Sequence, residues 1–575
     1  MTTRERLQKV FKHSRMFRSI PSSCIEALNP QTGTIKEGDL LFQEGESADF
    51  AYVIEAGILG LFSGGLEHTT CCFRKVVQGD LVGEYGLFCD QPRSASAIAL
   101  TDLKYFQFGK EDLQQMLHQS ADFQTQLLAS LAEAASIGRD PRQSPLNTIL
   151  IHNVHPESLL TRQVLVELAS HLRSQAGKTI ALESPVITRH CSSEAELHHQ
   201  LTEATKARDL QVLITDDPLA VSWRNQKLID RLVILSDGTV DHADLPSRMD
   251  SEAILVRLWP MEQDCPSTQG WFSDKSFAFV LNIKAAKQSH LERLARTVLR
   301  LQNILVLGGG GARGFAHVGA IAALQELPVD DIDMVMGVSI GALVSSLAAF
   351  ELTAQQILGH LERVIIDAKP YTITIPRDSL FSLSNSQREL AAFFGCSMIQ
   401  DSWLVLQCFS TNLSTNQLQA WTAGDIPTAV IASMSVPGIF PPVEDTTGEL
   451  HVDGGILNNL PIAPARHLTD GRIIAISLDV EPDSANQCGV NRQRRRPSLG
   501  KTIINAMMCA SHAASQSQEH LADVVLRPEI GHYPFMEWKS YSQIFEAGYN
   551  HARSKLPSSL ASGNTPQTPS KPSSL

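Results

Sequence analysis

Ser339 stands at the centre of Gly337-Val338-Ser339-Ile340-Gly341, between the apolar run Met334-Val335-Met336 and a helix-like stretch from Ala342 to Phe350. A serine hydroxyl attacks an acyl carbonyl once a base takes its proton. On a tight strand-to-helix turn, with glycines keeping the backbone clear, that hydroxyl is presented beside the first helical N–H groups. Upstream, Gly308 to Gly314 reads GGGGARG, after the apolar run Ile304 to Leu307 and before the helix-like Phe315 to Leu327. Consecutive glycines at such a junction expose backbone N–H groups, and the helix dipole favours negative charge there. Acyl transfer needs such donors for the oxygen that becomes anionic in the tetrahedral transition state. Downstream, Glu449-Leu450-His451-Val452-Asp453-Gly454-Gly455 ends a short strand on an acid, followed by Asn458-Asn459-Leu460-Pro461. Asp453 is a candidate base for Ser339; the alternative is a plain Asp-Gly-Gly turn.

A dinucleotide fingerprint competes for the glycine run, since Gly309, Gly311 and Gly314 satisfy GxGxxG. That fingerprint requires an acid at the end of the second strand to bind a ribose. Asp330, Asp331 and Asp333 fall near the right spacing but precede the second apolar run. Ser339 stands beyond the end of that run instead, which favours acyl transfer.

In order and residue type, GGGGARG with Arg313, then GVSIG, then DGG resemble the patatin-like phospholipase family. A further stretch of that kind, Ala432-Ser433-Met434-Ser435-Val436-Pro437-Gly438-Ile439-Phe440-Pro441-Pro442, lies between the second and third. The resemblance spans about Asn303 to Ile462 and implies a three-layer α/β fold with a Ser-Asp dyad. It makes Ser339 the nucleophile and Asp453 the base, and places the oxyanion hole at Gly309, Gly310, Gly311 and Arg313. No metal or other cofactor is expected for this catalysis. His451 shares a strand side with Asp453, and His317 lies just beyond the glycine run; both are expected to be packing residues, because the dyad needs no histidine.

The N-terminal region from Met16 to Glu133 has another texture. Short strand-like runs separated by turns at Gly38, Gly45 and Gly57 predict an antiparallel β-roll, closed by a helix from Lys110 to Ile137. Inside it, Gly83-Glu84-Tyr85-Gly86-Leu87-Phe88 and Pro92-Arg93-Ser94-Ala95 resemble the phosphate-binding cassette of cyclic-nucleotide-binding domains. Arg93 offers a forked, permanent cation for a cyclic phosphate. Glu84 accepts from a ribose hydroxyl, and the backbone near Gly86 and Ser94 completes the anion site. Cyclic AMP or cyclic GMP is the implied regulatory ligand; the alternatives are a structural or docking module for the domain and a surface salt bridge for Arg93.

Between these regions, strands are predicted at Thr148 to His152, Thr179 to Leu182, Leu210 to Thr215 and Leu232 to Leu235. Helices are predicted at Val164 to Ser174 and Glu194 to Arg208, and the alternation implies a parallel sheet. Gly177-Lys178-Thr179 hints at a phosphate loop, but Leu172 replaces its first glycine and the helix–strand order is reversed. This fusion resembles bacterial relatives of neuropathy target esterase, a group regarded as lysophospholipases or esterases. The expected architecture is multidomain: a cyclic-nucleotide-binding-like roll at 16–133, a degenerate Rossmann-like α/β region at 146–302 and a patatin-like hydrolase at 303–462. A C-terminal extension of the hydrolase comes next at 463–556, then a Pro/Ser/Thr-rich disordered tail at 557–575.

Composition fits an ordinary globular protein of the cytosol. The 575 residues are 43% hydrophobic, and the ten cysteines lack zinc spacing, as expected of reduced thiols. Charges at Arg4, Glu5 and Arg6 occupy the place of a signal peptide's apolar core. A net charge of −13 disfavours a general pull toward nucleic acid or anionic membrane. The uncharged Met334 to Phe350 is too short for a membrane span, so contact with a phospholipid or lysophospholipid substrate is expected to be peripheral. The basic run Asn491-Arg492-Gln493-Arg494-Arg495-Arg496-Pro497 is either a headgroup contact or a solvated loop. Two functions stay open: a cytoplasmic serine esterase regulated through its N-terminal module, and a non-catalytic lipid or cyclic-nucleotide sensor.

Overall fold

A computed structural model describes residues 2–14, 16–62, 72–136, 148–179, 187–191, 200–202, 210–216, 228–239, 253–263, 266, 277–327, 332–367, 372–373, 381–382, 384–395, 397–479 and 511–562. The chain divides into two compact units. One is Met1–Val154, Ile180–Ile234 and Asp244–Glu252; the other is His155–Thr179, Leu235–Ala243 and Ala253–Leu575.

In the first unit, eight strands form two antiparallel four-stranded sheets. They are β1 (Gln31–Ile35), β2 (Leu40–Phe42), β3 (Ala51–Ala56), β4 (Leu59–Phe62), β5 (Cys72–Val76), β6 (Leu81–Val82), β7 (Ser96–Ala99) and β8 (Leu103–Phe108), ordered β1-β8-β3-β6 and β2-β7-β4-β5. Gly38, Gly45 and Gly57 turn between strands at φ of 88°, 89° and 95°, a region that costs other residues strain. The closing helix is two helices, Lys110–Gln119 and Ala121–Ser136. Ser120 between them is extended, and its hydroxyl caps the Phe123 N–H. The core also reaches further towards the N-terminus than residue 16. A capping box of Thr2 and Glu5 starts the Thr3–His13 helix, which packs Leu7, Val10 and Phe11 against Phe17, Phe106, Phe108 and Phe123.

The expected parallel pairing is present: β9 (Thr148–Asn153), β10 (Ile187–Cys191) and β11 (Gln211–Thr215) run parallel in the order β10-β11-β9. β12 spans Arg231–Asp237. In the second unit β13 (Ile254–Trp259) and β14 (Phe279–Lys284) are also parallel. Gly177-Lys178-Thr179 ends the Leu159–Thr179 helix, so it is no phosphate loop, and Thr179 begins no strand. The linker at 138–145, the basic run at 491–497 and most of the helix expected from Glu194 lie outside the described residues. The tail boundary at Pro557 falls inside the Tyr541–Ser562 helix.

The remainder of the second unit is built on an eight-stranded sheet. Its strands are β15 (Ile304–Leu307), β16 (Met334–Val338), β19 (Val405–Asn412), β20 (Gln417–Trp421), β21 (Val443–Glu444), β22 (Leu450–Asp453), β23 (Ile473–Ile476) and β24 (Val524–Leu526); a separate hairpin holds β17 (Thr372–Ile373) and β18 (Phe381–Ser382). The order is β21-β22-β19-β16-β15-β23-β24, with β20 beside β19. β15, β16, β19, β23 and β24 are parallel, and β20 and β22 are antiparallel to β19. The β15 and β16 side chains are all buried, as a parallel sheet covered on both faces demands.

From β15 the chain steps one way to β16 and β19, whereas β23 and β24 lie on the other side. Right-handed crossovers then place connecting helices on opposite faces and open a crevice at the carboxyl end of β15. On one layer the Phe315–Gln325 and Tyr541–Ser562 helices cross on glycine: a Cβ at Gly548 would come within 2.6 Å of the Ala316 Cα. Among the described residues no helix is long and apolar enough to cross a membrane.

Candidate active site

The crevice contains the three glycine-flanked motifs. Ser339 lies between β16 and the Ile340–Ala348 helix, at φ 55° and ψ −124°. A positive φ in a non-glycine residue stores strain, and here it turns the hydroxyl outward. The elbow needs its glycines, because a Cβ on Gly337 would strike the Gly341 carbonyl and one on Gly341 the Leu307 carbonyl.

Asp453, at the end of β22, is brought to this elbow through β19, where Ser410 pairs with Asp453 and Phe409 with Val338. The Ser339 hydroxyl donates to Asp453 Oδ2 at 2.7 Å, and the Gly455 N–H donates to Oδ1 at 2.8 Å. Burial pushes the Asp453 carboxyl up to about 6, although these two hydrogen bonds pull it down. At neutral pH it is a carboxylate with raised basicity, suited to take a proton.

The glycine loop lies against Ser339, and a Cβ on Gly309 would come within 3.1 Å of the Ser339 Cβ. The four residues expected to form the oxyanion hole are not equally placed. The Gly309 N–H donates to the Asn459 carbonyl and the Arg313 N–H to Gly310. Among the described residues the Gly310 and Gly311 amides have no protein acceptor. The Arg313 guanidinium donates to the Tyr533 carbonyl at 3.0 Å, and the Ala312 N–H to the Phe535 carbonyl. Residues 533–535 thus strap the loop from outside.

A pocket opens in front of Ser339 and Gly311. Its walls are apolar, including Leu343, Ile365, Leu390, Phe440 and Trp538. Such a surface takes a hydrocarbon chain and offers little to a sugar or nucleotide.

Neither histidine reaches the dyad. His451 hydrogen-bonds Ser410 through Nδ1 (3.0 Å) and Asp445 through Nε2 (3.2 Å), with its ring against Trp421. His317 Nε2 meets the Gly308 carbonyl at 2.7 Å, so that nitrogen carries the proton. Burial pushes His317 down to about 4 and keeps it neutral. Asp333 is paired with Arg296 at the start of β16, away from any ribose position; Asp330 and Asp331 lie outside the described residues.

In the roll, Gly83 at φ 83° starts the short Glu84–Cys89 helix. Buried Arg93 donates to the Gly83 carbonyl (2.9 Å) and the Phe50 carbonyl (2.7 Å), and its guanidinium lies 4.4 Å from the centre of the Phe42 ring. Among the described residues it forms no surface ion pair, and its Nε has no hydrogen-bond partner. Glu84 is buried too and accepts from Ser130 at 2.7 Å. Gly86 is pressed against Ala48, with 2.6 Å left for a Cβ, while Ser94 is exposed.

Residues 305–466 match the family model described as patatin-like phospholipase, and 33–120 match the cyclic nucleotide-binding domain. The chain joins a cyclic nucleotide-binding domain to a patatin-like phospholipase domain. It is therefore a carboxylic ester hydrolase. An uncharacterized NTE family protein of Mycobacterium tuberculosis is 26% identical over 541 residues, covering 90% of each chain. Human patatin-like phospholipase domain-containing protein 6 is 25% identical over 610 residues, 90% of this chain and 44% of that protein. Lysophospholipase nte1 of Emericella nidulans is 30% identical over 296 residues, 48% of this chain and 19% of the fungal one.

Several residues touch these sites without any mark in the sequence that would single them out. Ser433 and Asn459 stand within or beside the hydrolase motifs but show their partners only in three dimensions. The 533–538 segment lies about 200 residues beyond the glycine loop, with no local signal for the contact. Ser130 in the nucleotide-binding domain is likewise an unmarked helix residue.

Proposed function

We propose that the chain hydrolyses acyl esters of phospholipids or lysophospholipids through a Ser339–Asp453 dyad. The 2.7 Å hydrogen bond from a strained-elbow serine to a buried carboxylate, at the mouth of an apolar pocket, carries this reading. The acyl chain lies along the pocket and presents its ester carbonyl to Ser339. Asp453 takes the hydroxyl proton as Oγ bonds to the carbonyl carbon, and the oxygen becomes an anion facing the Gly310 and Gly311 amides. Collapse breaks the ester C–O bond, and the proton on Asp453 passes to the departing alcohol. Water then attacks the acyl-serine, gives a proton to Asp453 and releases the fatty acid, and the proton returns to Ser339.

The nucleotide-binding domain is assigned a cyclic nucleotide as regulatory ligand, its phosphate on Arg93 and its ribose on Glu84. The buried cation with an unpaired Nε supports this. Lipid contact is peripheral. Hydrolysis of lysophosphatidylcholine by the purified chain, with Ser339→Ala as blank and with or without cyclic AMP or cyclic GMP, tests both assignments. Turnover by Ser339→Ala would remove the first, and nucleotide binding unchanged by Arg93→Ala the second.

A further inference from the structure

We infer that Asn459 is the positioning residue that orients the oxyanion donor, which rests on the Ser339–Asp453 dyad being the catalytic pair. Its side chain is buried, and the residue holds Gly309 by both its N–H and its carbonyl. The Asn459 backbone carbonyl accepts the Gly309 N–H at 3.3 Å, and Asn459 Nδ2 donates to the Gly309 carbonyl at 3.1 Å. The second Nδ2 hydrogen goes to Asp479 Oδ1 at 2.8 Å. Two acceptors on one side fix which way the amide faces, so its NH₂ is fully used and cannot rotate.

The Gly309 carbonyl and the Gly310 N–H belong to one trans peptide plane and point in opposite directions. Holding the carbonyl towards Asn459 therefore turns the Gly310 N–H away from it. Among the described residues that N–H is one of the two in the loop with no protein acceptor. Asn459 thus leaves a donor facing outward from a loop that sits against Ser339.

The same side chain is wedged between two motifs. A Cβ at Gly309 would come within 2.5 Å of Asn459 Oδ1, and one at Gly455 within 2.9 Å. Gly455 in turn donates to Asp453 Oδ1. One amide group thereby spaces the glycine loop from the turn that carries the base, and both glycines are required by its bulk. A donor misplaced by a fraction of an ångström loses transition-state stabilisation while ground-state binding in the apolar pocket is untouched.

The test compares full-length Asn459→Ala, Asn459→Asp and Ser339→Ala on lysophosphatidylcholine. Two inhibitor affinities are measured as well: an aliphatic trifluoromethyl ketone, which forms a tetrahedral adduct, and an alkylphosphocholine, which cannot react. Asn459→Ala is expected to lower kcat about tenfold to a hundredfold, short of deleting a donor outright, with KM nearly constant. Trifluoromethyl ketone affinity should fall with kcat while alkylphosphocholine affinity holds. Asn459→Asp keeps the shape but cannot donate, and should show the same split even if the alanine variant folds poorly. Unchanged kcat in Asn459→Asp, or equal loss of both inhibitor affinities, would overturn the inference. Activity in Ser339→Ala would instead overturn the dyad on which it rests.

Discussion

The Ser339 backbone N–H donates to Ser433 Oγ at 2.8 Å, and that hydroxyl donates to the Phe409 carbonyl at 2.6 Å. Ser433 is fully buried and sits in the stretch between the nucleophile and acid motifs. The strained elbow is thus pinned to β19, the strand that also aligns Asp453. It also means that the Ser339 amide is committed and does not face the substrate.

Ser433→Ala strands the buried Ser339 N–H. A stability loss of about 1–3 kcal/mol is expected, together with a fall in kcat, because the elbow can relax away from φ 55°. Ser433→Thr retains the acceptor and should recover part of both. Thermal denaturation and steady-state kinetics on the two variants check this.

As the proposed base, Asp453 works only when ionised, so kcat/KM should rise with pH through about 6 and then level off. Asp453→Asn should abolish hydrolysis, whereas His451→Ala leaves most of it. The reverse result would reassign the base.

The same shift has a cost. A carboxyl whose folded value lies above its unfolded one makes the protein less stable as pH rises from about 4 to 6, and the penalty persists above that. Asp453→Asn should therefore unfold later than the parent at pH 8, by on the order of 1–3 kcal/mol. The gain should vanish near pH 4.

His317 and His290 act in the opposite sense. Burial is the largest cause that brings both down to about 4, and His290 also hydrogen-bonds Glu351. A neutral buried histidine stabilises fully above its unfolded value near 6.5, and that stability is lost as pH falls towards 4. Loss on the order of 3 kcal/mol per group is expected across that window. His317→Gln, which still can donate to Gly308, should flatten the acid limb of a denaturation-versus-pH series.

Arg93→Ala should weaken cyclic nucleotide binding by at least about tenfold, the worth of one charge-assisted contact. Glu84→Gln should weaken it less. Calorimetric titration with cyclic AMP and cyclic GMP reads this directly.

The hydrolase motifs were legible because each lies within a few residues and depends on glycines whose backbone needs are local. The turns at Gly38, Gly45 and Gly57 were legible for the same reason. Asn459 and Ser433 were visible as letters but not as partners, since their contacts bridge 150 and 94 positions. The helix at Thr3–His13 carries its apolar residues at i, i+3 and i+4, a readable signal obscured by its dense charge. The fastening of Arg313 to Tyr533 spans 220 positions and no pattern announces it.

The order of strands limits how the enzyme can be cut. Residues matching the hydrolase family end at 466, but β23, which flanks β15, begins at Ile473. A fragment stopped at the family limit would bare the central strand along one whole side, an invitation to aggregate. Its Gly308 amide would also lose the Ile476 carbonyl that anchors the first residue of the glycine loop. Proteolytic clipping between 466 and 473 with subsequent dissociation should therefore silence the esterase without touching Ser339 or Asp453.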